Sequence, residues 1–303
     1  MYRSRFRRIV GSLLLLALGA CDARDTPDAP RADVVVDRDD YGNVVESGST
    51  TNPARIISLN PATTELLFAL GAGGRLVGRT HWDLYPDSAR LVPDLGPGIR
   101  PDVEALLTRK PDLVVLYGSE DNRAAAQRLA AFGVKVVALK LDRIDDFRRA
   151  ARLLGRATGL GDRARTVIDT VDATLARVRQ ATDTLPDVPV FWHIWDNPLI
   201  TIGSGSFMTE LVAISGGRNV YADDAKPSPQ ITLEDVVRRD PAVVLAGPVG
   251  ARLIRSTPAW SAVPAVRAGR VLVVDTMLVS RASVRLGEAA VSLATLLHPG
   301  LKP

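Results

Sequence analysis

Apolar residues along this chain follow two patterns that alternate from residue 55 onward. Mostly apolar runs, typical of strands buried on both faces, occur at residues 55–59, 113–117, 134–139, 190–194, 243–246 and 271–274. Stripes with helical spacing occur near residues 63–70, 123–132 and 286–297. Asn60-Pro61 and Gly71 supply start and stop signals for the first of these helices. Strands that alternate with helices predict an α/β fold with parallel sheets.

One pattern of apolar and polar residues occurs twice, 130 residues apart. Residues 101–116 are PDVEALLTRKPDLVVL, and residues 231–246 are ITLEDVVRRDPAVVLA. The matched positions include Glu104 with Glu234, Arg109 with Arg239, Pro111 with Pro241 and Val114 with Val244. Each copy predicts a short helix that ends before a proline, followed by a buried strand. The repeat therefore predicts two similar lobes, each with one surface glutamate in the same place.

A helical segment without strand signals separates the two copies. It extends over about residues 144–180 and is interrupted at Gly159-Leu160-Gly161. In its second half, apolar residues recur at i, i+3 and i+4 over about twenty residues, a helix of roughly 30 Å. The sequence therefore predicts an N-terminal lobe at residues 54–142, an inter-lobe helix within 143–182 and a C-terminal lobe at 183–303.

The N-terminus has the pattern of a secretory signal. Four arginines precede the apolar stretch Ile9–Leu18, which is too short for a normal membrane span. The sequence Leu18-Gly19-Ala20-Cys21 resembles a bacterial lipobox, which predicts removal of residues 1–20 and a lipid on Cys21. An ordinary secretory signal is the alternative, which the chain's single cysteine disfavours because it has no disulfide partner. Residues 21–53 are polar and acidic, and they predict a flexible tether.

The positive net charge of the chain comes from the arginines of this signal. The whole chain carries 38 basic and 34 acidic side chains, for a net charge of +4. Without the four arginines of the signal, the basic count falls to 34, equal to the acidic count. The charge balance thus gives no support for binding to nucleic acid.

Five stretches resemble one class of transport protein in the same order along the chain. They are RIISLNPATTELLFALGAGGRLVG, VEALLTRKPDLVVL, SFMTELVAISGGRNVY, LEDVVRRDPAVVLAG and AVRAGRVLVVD. Together they span about residues 54–298 and resemble the iron-siderophore and cobalamin class of periplasmic binding proteins, which deliver their ligand to an ABC importer. The resemblance is specific for the class and says little about the ligand.

The resemblance implies a class III periplasmic binding protein, with two α/β lobes joined by a long backbone helix. Such a protein is a non-enzymatic monomer without a cofactor, and it passes a corrinoid or an iron chelate to the membrane subunits of its importer. It would work on the periplasmic side of the cell envelope, anchored through Cys21. Asp22 resembles the signal that retains a lipoprotein at the inner membrane.

The same resemblance implies roles for two sets of residues. In this class, one glutamate on each lobe meets arginines of the transporter, and Glu104 and Glu234 match those positions. Two ordinary solvated glutamates are the alternative. The ligand would lie in the cleft between the lobes, and the predicted ligand-binding residues are Trp82, Tyr85, Tyr117, His193, Trp195 and Arg281. Trp192 is assigned either to this cleft or to the core. Arg281 and Arg285 lie in the loop before the last helix, where siderophore binders often hold an anion, so an anionic siderophore remains a candidate ligand.

Aromatic faces suit a large flat ligand such as a corrin, a porphyrin or a catecholate. Histidine is a common metal ligand, and the chain has His81 and His193 near the predicted cleft. The alternative functions are therefore a haem-binding or metal-ion-binding protein and a secreted metal-dependent enzyme that uses these two residues. Catalytic motifs give no support to the enzyme, because the sequence has no HExxH or P-loop and its Gly203–Ser206 stretch lacks the spacing of a nucleophile elbow.

Overall fold

The computed structural model describes residues 37–45 and 52–303. The predicted signal peptide and Cys21 lie outside the described residues.

The described part of the chain contains ten β-strands. They are β1 Ile56–Ser58, β2 Leu76–Gly78, β3 Leu113–Tyr117, β4 Lys135–Leu139, β5 Val188–His193, β6 Trp195–Asp196, β7 Leu199–Ile200, β8 Gly217–Asn219, β9 Val243–Ala246 and β10 Val271–Val273.

The same residues form eleven α-helices. They are α1 Pro61–Leu70, α2 Val103–Thr108, α3 Glu120–Ala131, α4 Ile144–Thr158, α5 Gly161–Thr182, α6 Phe207–Ile214, α7 Leu233–Arg239, α8 Pro248–Ser256, α9 Pro264–Arg267, α10 Thr276–Val279 and α11 Leu286–Leu297. Short 3-10 segments lie at Gly73–Arg75, Asp87–Leu91 and Pro258–Ala262. None of these helices combines the length and the apolar character that a membrane span needs.

Two four-stranded parallel sheets have the same topology. The first has the order β2-β1-β3-β4 and the second has the order β8-β5-β9-β10. Counted along the chain within each sheet, the first strand lies between the second and the third, and the fourth lies at the edge. Helices cover both faces, as the continuous apolar runs require. The predicted fold class, two similar α/β lobes, is confirmed.

The repeated segments occupy equivalent places in the two lobes. The first forms α2 and β3, and the second forms α7 and β9. Lys110 and Asp240, the residues before the matched prolines, have φ values of +48° and +45°. This left-handed conformation ends both helices, and it is uncommon for residues other than glycine. The repeat is therefore preserved in the backbone as well as in the side chains.

Two helices fill the predicted inter-lobe segment, and they are separated at the interruption that the sequence indicates. Helix α4 ends at Gly159, whose φ of +72° allows the turn into α5. The two helices pack closely, because a Cβ on Gly155 would lie 2.6 Å from that of Ala164. Helix α5 also packs against α1 of the N-terminal lobe and against α6 and α11 of the C-terminal lobe. Its 22 residues, roughly 33 Å of helix, thus connect the two lobes as a rod.

The prediction of a flexible tether over residues 21–53 is wrong for residues 37–45. These residues, which we call the strap, pack along β4. The backbone of Asp40 donates to the carbonyl of Ala138 at 2.9 Å, and the backbone of Ala138 donates to Asp39 Oδ2 at 2.9 Å. Val45 is 2% exposed and joins the hydrophobic core. The strap covers backbone groups of an edge strand that would otherwise lack partners.

The strap provides a first testable prediction. Asp39 is 5% exposed, and its carboxylate also accepts hydrogen bonds from the backbone of Tyr41 and Asn43. We expect Asp39→Ala to lower the free energy of unfolding by about 2 kcal/mol, because buried backbone donors would lose a charged acceptor. Urea denaturation measures this. Asp87→Ala is the control, since that side chain is fully exposed; equal stability of the two variants would contradict a structural role for the strap.

Candidate functional site

The carboxyl ends of strands from both sheets face a cleft between the lobes. Asn60 follows β1, Tyr117 ends β3, His193 ends β5 and Gly247 follows β9, and all four line the cleft. Parallel α/β sheets commonly bind ligands at this edge. Two sheets with the same topology therefore present equivalent edges to one site.

The cleft contains two adjoining cavities. The inter-lobe cavity, about 470 Å³, is lined by both lobes, including Asn60, Trp82, Tyr117, Asp142, Phe207 and Arg281. The C-lobe cavity, about 450 Å³, is lined by residues that include Trp192, His193, Trp195, Gly247, Val249 and Gly250. Thr276 and Ser280 line both cavities, which makes them parts of one site.

Trp82 supplies an exposed aromatic surface on the N-terminal lobe. Its side chain is 58% exposed, and its ring meets that of His81 edge to face at 4.5 Å between centroids. The next residue, Asp83, is 1% exposed and accepts hydrogen bonds of 2.6 Å from the hydroxyls of Thr64 and Thr80. Burial raises the pKa of Asp83, and the bonds from both threonines oppose that shift. Asp83 thus ties the loop of Trp82 to α1.

Tyr117 faces the same cavity as a hydrogen-bond donor. Its hydroxyl donates to Asp142 Oδ1 at 2.8 Å. Burial, together with the nearby Asp142 carboxylate, raises the pKa of Tyr117 above its usual value. The hydrogen of the phenol is therefore used in the bond to Asp142, which leaves the oxygen as an acceptor toward the cavity.

Trp195 supplies the corresponding surface on the C-terminal lobe. It lies in the short antiparallel hairpin β6–β7 and is 62% exposed. Trp192, three residues earlier, is 1% exposed and belongs to the main hydrophobic core. Successive residues of β5 point to opposite faces, so Phe191 and His193 lie on the other side, near Trp260. The structure thus packs Trp192 into the core, at the wall of the C-lobe cavity, where almost none of its surface is exposed.

His193 lines the C-lobe cavity but is 5% exposed. Its Nε2 lies 2.8 Å from Asp196 Oδ1. A Cβ added to Gly250 would lie 2.6 Å from Nδ1, so only glycine leaves room for this ring. The imidazole is thus held between the Asp196 carboxylate and the backbone of α8.

The sequence that forms the two lobes matches a known family. Residues 56–277 match the family described as "Periplasmic binding protein". The chain belongs to this family.

Several relatives resemble this periplasmic binding protein over most of its length. It is 29% identical over 255 residues to the uncharacterized ABC transporter substrate-binding lipoprotein YvrC of Bacillus subtilis (strain 168), covering 82% of this chain and 81% of that protein. It is 26% identical over 253 residues to the vitamin B12-binding protein of Pectobacterium carotovorum subsp. carotovorum (strain PC1), covering 82% and 91%. A periplasmic heme-binding protein from Pseudomonas aeruginosa matches with a TM-score of 0.74 and 23% identity, over 83% of this chain and 95% of that chain; this likeness concerns the fold.

Two predicted site residues of this periplasmic binding protein have other surroundings. Tyr85 lines neither cavity, and the guanidinium of Arg285 lies over its ring at 4.3 Å. Arg281 lines the inter-lobe cavity, but it donates to Glu65 Oε1 at 3.0 Å and to the carbonyl of Trp82 at 2.8 Å. Its guanidinium is therefore already engaged by protein groups.

The two matched glutamates begin equivalent helices. Glu104 is the second residue of α2 and Glu234 the second residue of α7, and both are exposed. Each helix returns antiparallel to its strands, so its first turn lies at the sheet edge that faces the cleft. Neither glutamate lines a cavity. Glu104 Oε1 accepts from Arg128 Nη2 at 2.7 Å, whereas Glu234 has no ion pair among the described residues.

The surroundings of the two histidines bear on the predicted metal site. Among residues 37–45 and 52–303, no three His, Cys, Asp or Glu side chains are grouped as a metal site. A zinc site in a protein uses at least three such ligands. His193 with Asp196 is thus a pair, and His81 belongs to the surroundings of Trp82.

Sequence reasoning missed several residues of the cleft. Asn60, Gly247 and Val249 line it, and each follows the carboxyl end of a predicted strand. The rule that ligands bind at this edge would have found them. Glu65 was also missed, because its partners Arg281 and Ser283 lie more than 200 residues away.

Proposed function

We propose that this protein is the extracytoplasmic substrate-binding lipoprotein of an ABC importer, and that it captures a corrinoid or an iron chelate between its lobes. The observation that carries the proposal is the cleft itself. Two adjoining cavities lie at the carboxyl edges of two equivalent sheets, and each lobe contributes one exposed tryptophan. Concave sites lined by aromatic side chains with a few polar groups are typical of ligand binding.

The lining favours a large, flat and partly apolar ligand. Trp82 and Trp195 present aromatic faces from opposite lobes, and Tyr117 and Ser280 add hydroxyl groups. A corrin ring fits this chemistry, and a relative of similar length is a vitamin B12-binding protein. Haem is the second candidate, supported by His193 in the C-lobe cavity. Because Asp196 and Gly250 already enclose that imidazole, iron could bind it only after rearrangement.

A titration tests the proposal. The Cys21→Ser chain, which cannot be lipidated on that residue, is purified and titrated with cyanocobalamin, hemin and a ferric catecholate. Ligand absorbance and tryptophan fluorescence are recorded. We expect one of these ligands to bind in the micromolar range or more tightly and to quench tryptophan emission. Binding of none of the three would contradict the proposed ligand class.

Delivery would require a surface that a transporter can reach while the ligand is bound. Glu104 and Glu234 meet this requirement, because both lie at the edge from which the cleft opens and neither lines a cavity. A membrane partner with one arginine for each glutamate would span the cleft. Ion pairs that stay exposed to water are individually weak. Pairs enclosed in a docked interface are stronger, so the two glutamates would contribute both orientation and affinity to docking.

The lipid anchor provides a second testable prediction. We expect the wild-type protein to fractionate with the inner membrane, since Asp22 follows Cys21. Cys21→Ser should lose the lipid and appear in the soluble periplasmic fraction. Metabolic labelling with a fatty acid and immunoblotting of fractions measure both effects. A mature wild-type chain that begins at a residue other than Cys21 would contradict the lipoprotein assignment.

A further inference from the structure

A buried ion pair connects the two lobes beside the cleft. Glu65 lies on α1 of the N-terminal lobe, and its side chain is 1% exposed. Arg281 and Ser283 lie in the C-terminal lobe, between α10 and α11. Arg281 Nη1 donates to Glu65 Oε1 at 3.0 Å, and the Ser283 hydroxyl donates to Oε2 at 2.5 Å. Both carboxylate oxygens are therefore bonded by the opposite lobe.

The same guanidinium holds the loop that carries Trp82. Arg281 Nη2 donates to the carbonyl of Trp82 at 2.8 Å. On the other side of this loop, Thr64 donates to Asp83 at 2.6 Å, and Thr64 is the neighbour of Glu65 on α1. Trp82 is thus held between α1 and Arg281, while its ring remains exposed to the cleft.

We propose that Glu65 and Arg281 form an inter-lobe clamp, which fixes the separation of the lobes and positions Trp82 in the cleft. In this role both are positioning residues, and Arg281 is not a ligand contact. The consequence for ligand capture rests on the proposed function, whereas the clamp itself does not.

The clamp can fix the separation of the lobes because its ion pair is buried. Loss of the Arg281 partner while the lobes stay packed would leave Glu65 as a buried carboxylate without its charged partner, which is strongly unfavourable. Burial also raises the pKa of Glu65, while the bonds from Ser283 and Arg281 oppose that shift. A buried pair is screened by salt less than a surface pair, so the clamp should persist at high ionic strength.

A second inter-lobe ion pair offers a matched control. Arg143, at the start of α4, pairs with Glu210 on α6. These side chains are 49% and 25% exposed, so water can replace much of their interaction. Neither residue contacts Trp82 or lines a cleft cavity. Glu210→Gln therefore removes an inter-lobe pair without affecting the clamp.

Two measurements without ligand test the clamp on the full chain with Cys21→Ser. Spin labels at Gln127→Cys on α3 and Arg252→Cys on α8, both exposed, report the inter-lobe distance by double electron–electron resonance. Fluorine NMR of 5-fluorotryptophan-labelled protein reports Trp82, whose signal is identified by its loss in Trp82→Phe. We expect Arg281→Gln to widen the distance distribution and to shift the Trp82 signal. Glu210→Gln should change neither.

Arg281→Lys distinguishes the two interactions of Arg281, the ion pair with Glu65 and the hydrogen bond to the Trp82 carbonyl. Lysine can pair with Glu65, but it lacks the planar fork that also reaches the Trp82 carbonyl. We expect it to retain the narrow distance distribution and still shift the Trp82 signal. If Arg281→Gln does not fold, the double variant Glu65→Gln with Arg281→Gln removes both charges and gives the same two readouts.

The proposal is overturned if clamp variants leave both readouts unchanged, or if Glu210→Gln has the same effect as Arg281→Gln. The clamp and the proposed function can fail independently. Unchanged readouts in the clamp variants would not alter the result of the ligand titration, and a titration in which no ligand binds would not alter these readouts. For whichever of cyanocobalamin and hemin binds, Arg281→Lys should weaken affinity severalfold more than Glu210→Gln. Equal affinities would remove the link between the clamp and ligand capture.

Discussion

Replacing Glu104 and Glu234 together by alanine should nearly abolish uptake of the bound ligand while leaving the protein itself unchanged. Each substitution would remove one charge pair between this protein and the transporter. A close interfacial pair contributes on the order of 1.5 kcal/mol or more, about tenfold in affinity. The double variant should therefore dock on the order of a hundredfold more weakly. Uptake of labelled ligand by cells that express each variant from the native locus measures this effect.

The control for this experiment must change the net charge equally. Glu120→Ala with Asp162→Ala removes two carboxylates that are 79% and 92% exposed and that lie outside both cavities and outside helices α2 and α7. Both double variants should keep the ligand affinity and thermal stability of the wild type, because exposed carboxylates contribute little to the fold. Normal uptake by the Glu104 and Glu234 variant would show that the repeat reflects only shared lobe architecture.

Trp195→Ala and Trp82→Ala should have the opposite effect and weaken ligand binding without disturbing docking. Truncation of a tryptophan at the centre of an interface commonly costs on the order of 2 kcal/mol, about thirtyfold in affinity. Since both side chains are more than half exposed, the folded state should lose little stability. Titration of each variant with the ligand that the wild type binds measures the loss.

Phe132→Ala is the matched control for the two tryptophans. Phe132 is 64% exposed, close to the 62% of Trp195, and it lines neither cleft cavity. We expect wild-type affinity for this variant. If Trp82→Ala and Trp195→Ala also bind as tightly as the wild type, the aromatic surfaces of the cleft do not contact the ligand and the proposed site is wrong.

Local sequence signals predicted several of the main elements, some of them with accurate bounds. The structure places β3 at Leu113–Tyr117, β9 at Val243–Ala246 and α11 at Leu286–Leu297, as the apolar patterns predict. Asn60 caps α1 by accepting from the backbone of Ala62, and Gly71 ends the helix with a φ of 89°. These features depend on residues within one or two turns of each other, so the sequence alone contains the required information.

Elements that depend on distant partners were not predictable in this way. Strands β2 and β8 have three residues each, and they exist because β1 and β5 pair with them. The strap has the composition of a solvated tether, yet Asp39 bonds the backbone of a residue 99 positions away. An acidic, proline-containing segment predicts disorder only while no folded edge is available to bind it.

The same distinction between local signals and distant partners applies to the residues of the candidate site. The sequence by itself determined two equivalent lobes, the position of Glu104 and Glu234 on matching helices, and the presence of tryptophans at strand ends. Only the tertiary structure decided that Trp192 is core, that Tyr85 lies outside the cavities, and that Arg281 bonds Glu65, 216 residues away. The reason is physical: periodic patterns record which face of an element is buried, whereas the partner of a buried charge is set by packing between lobes.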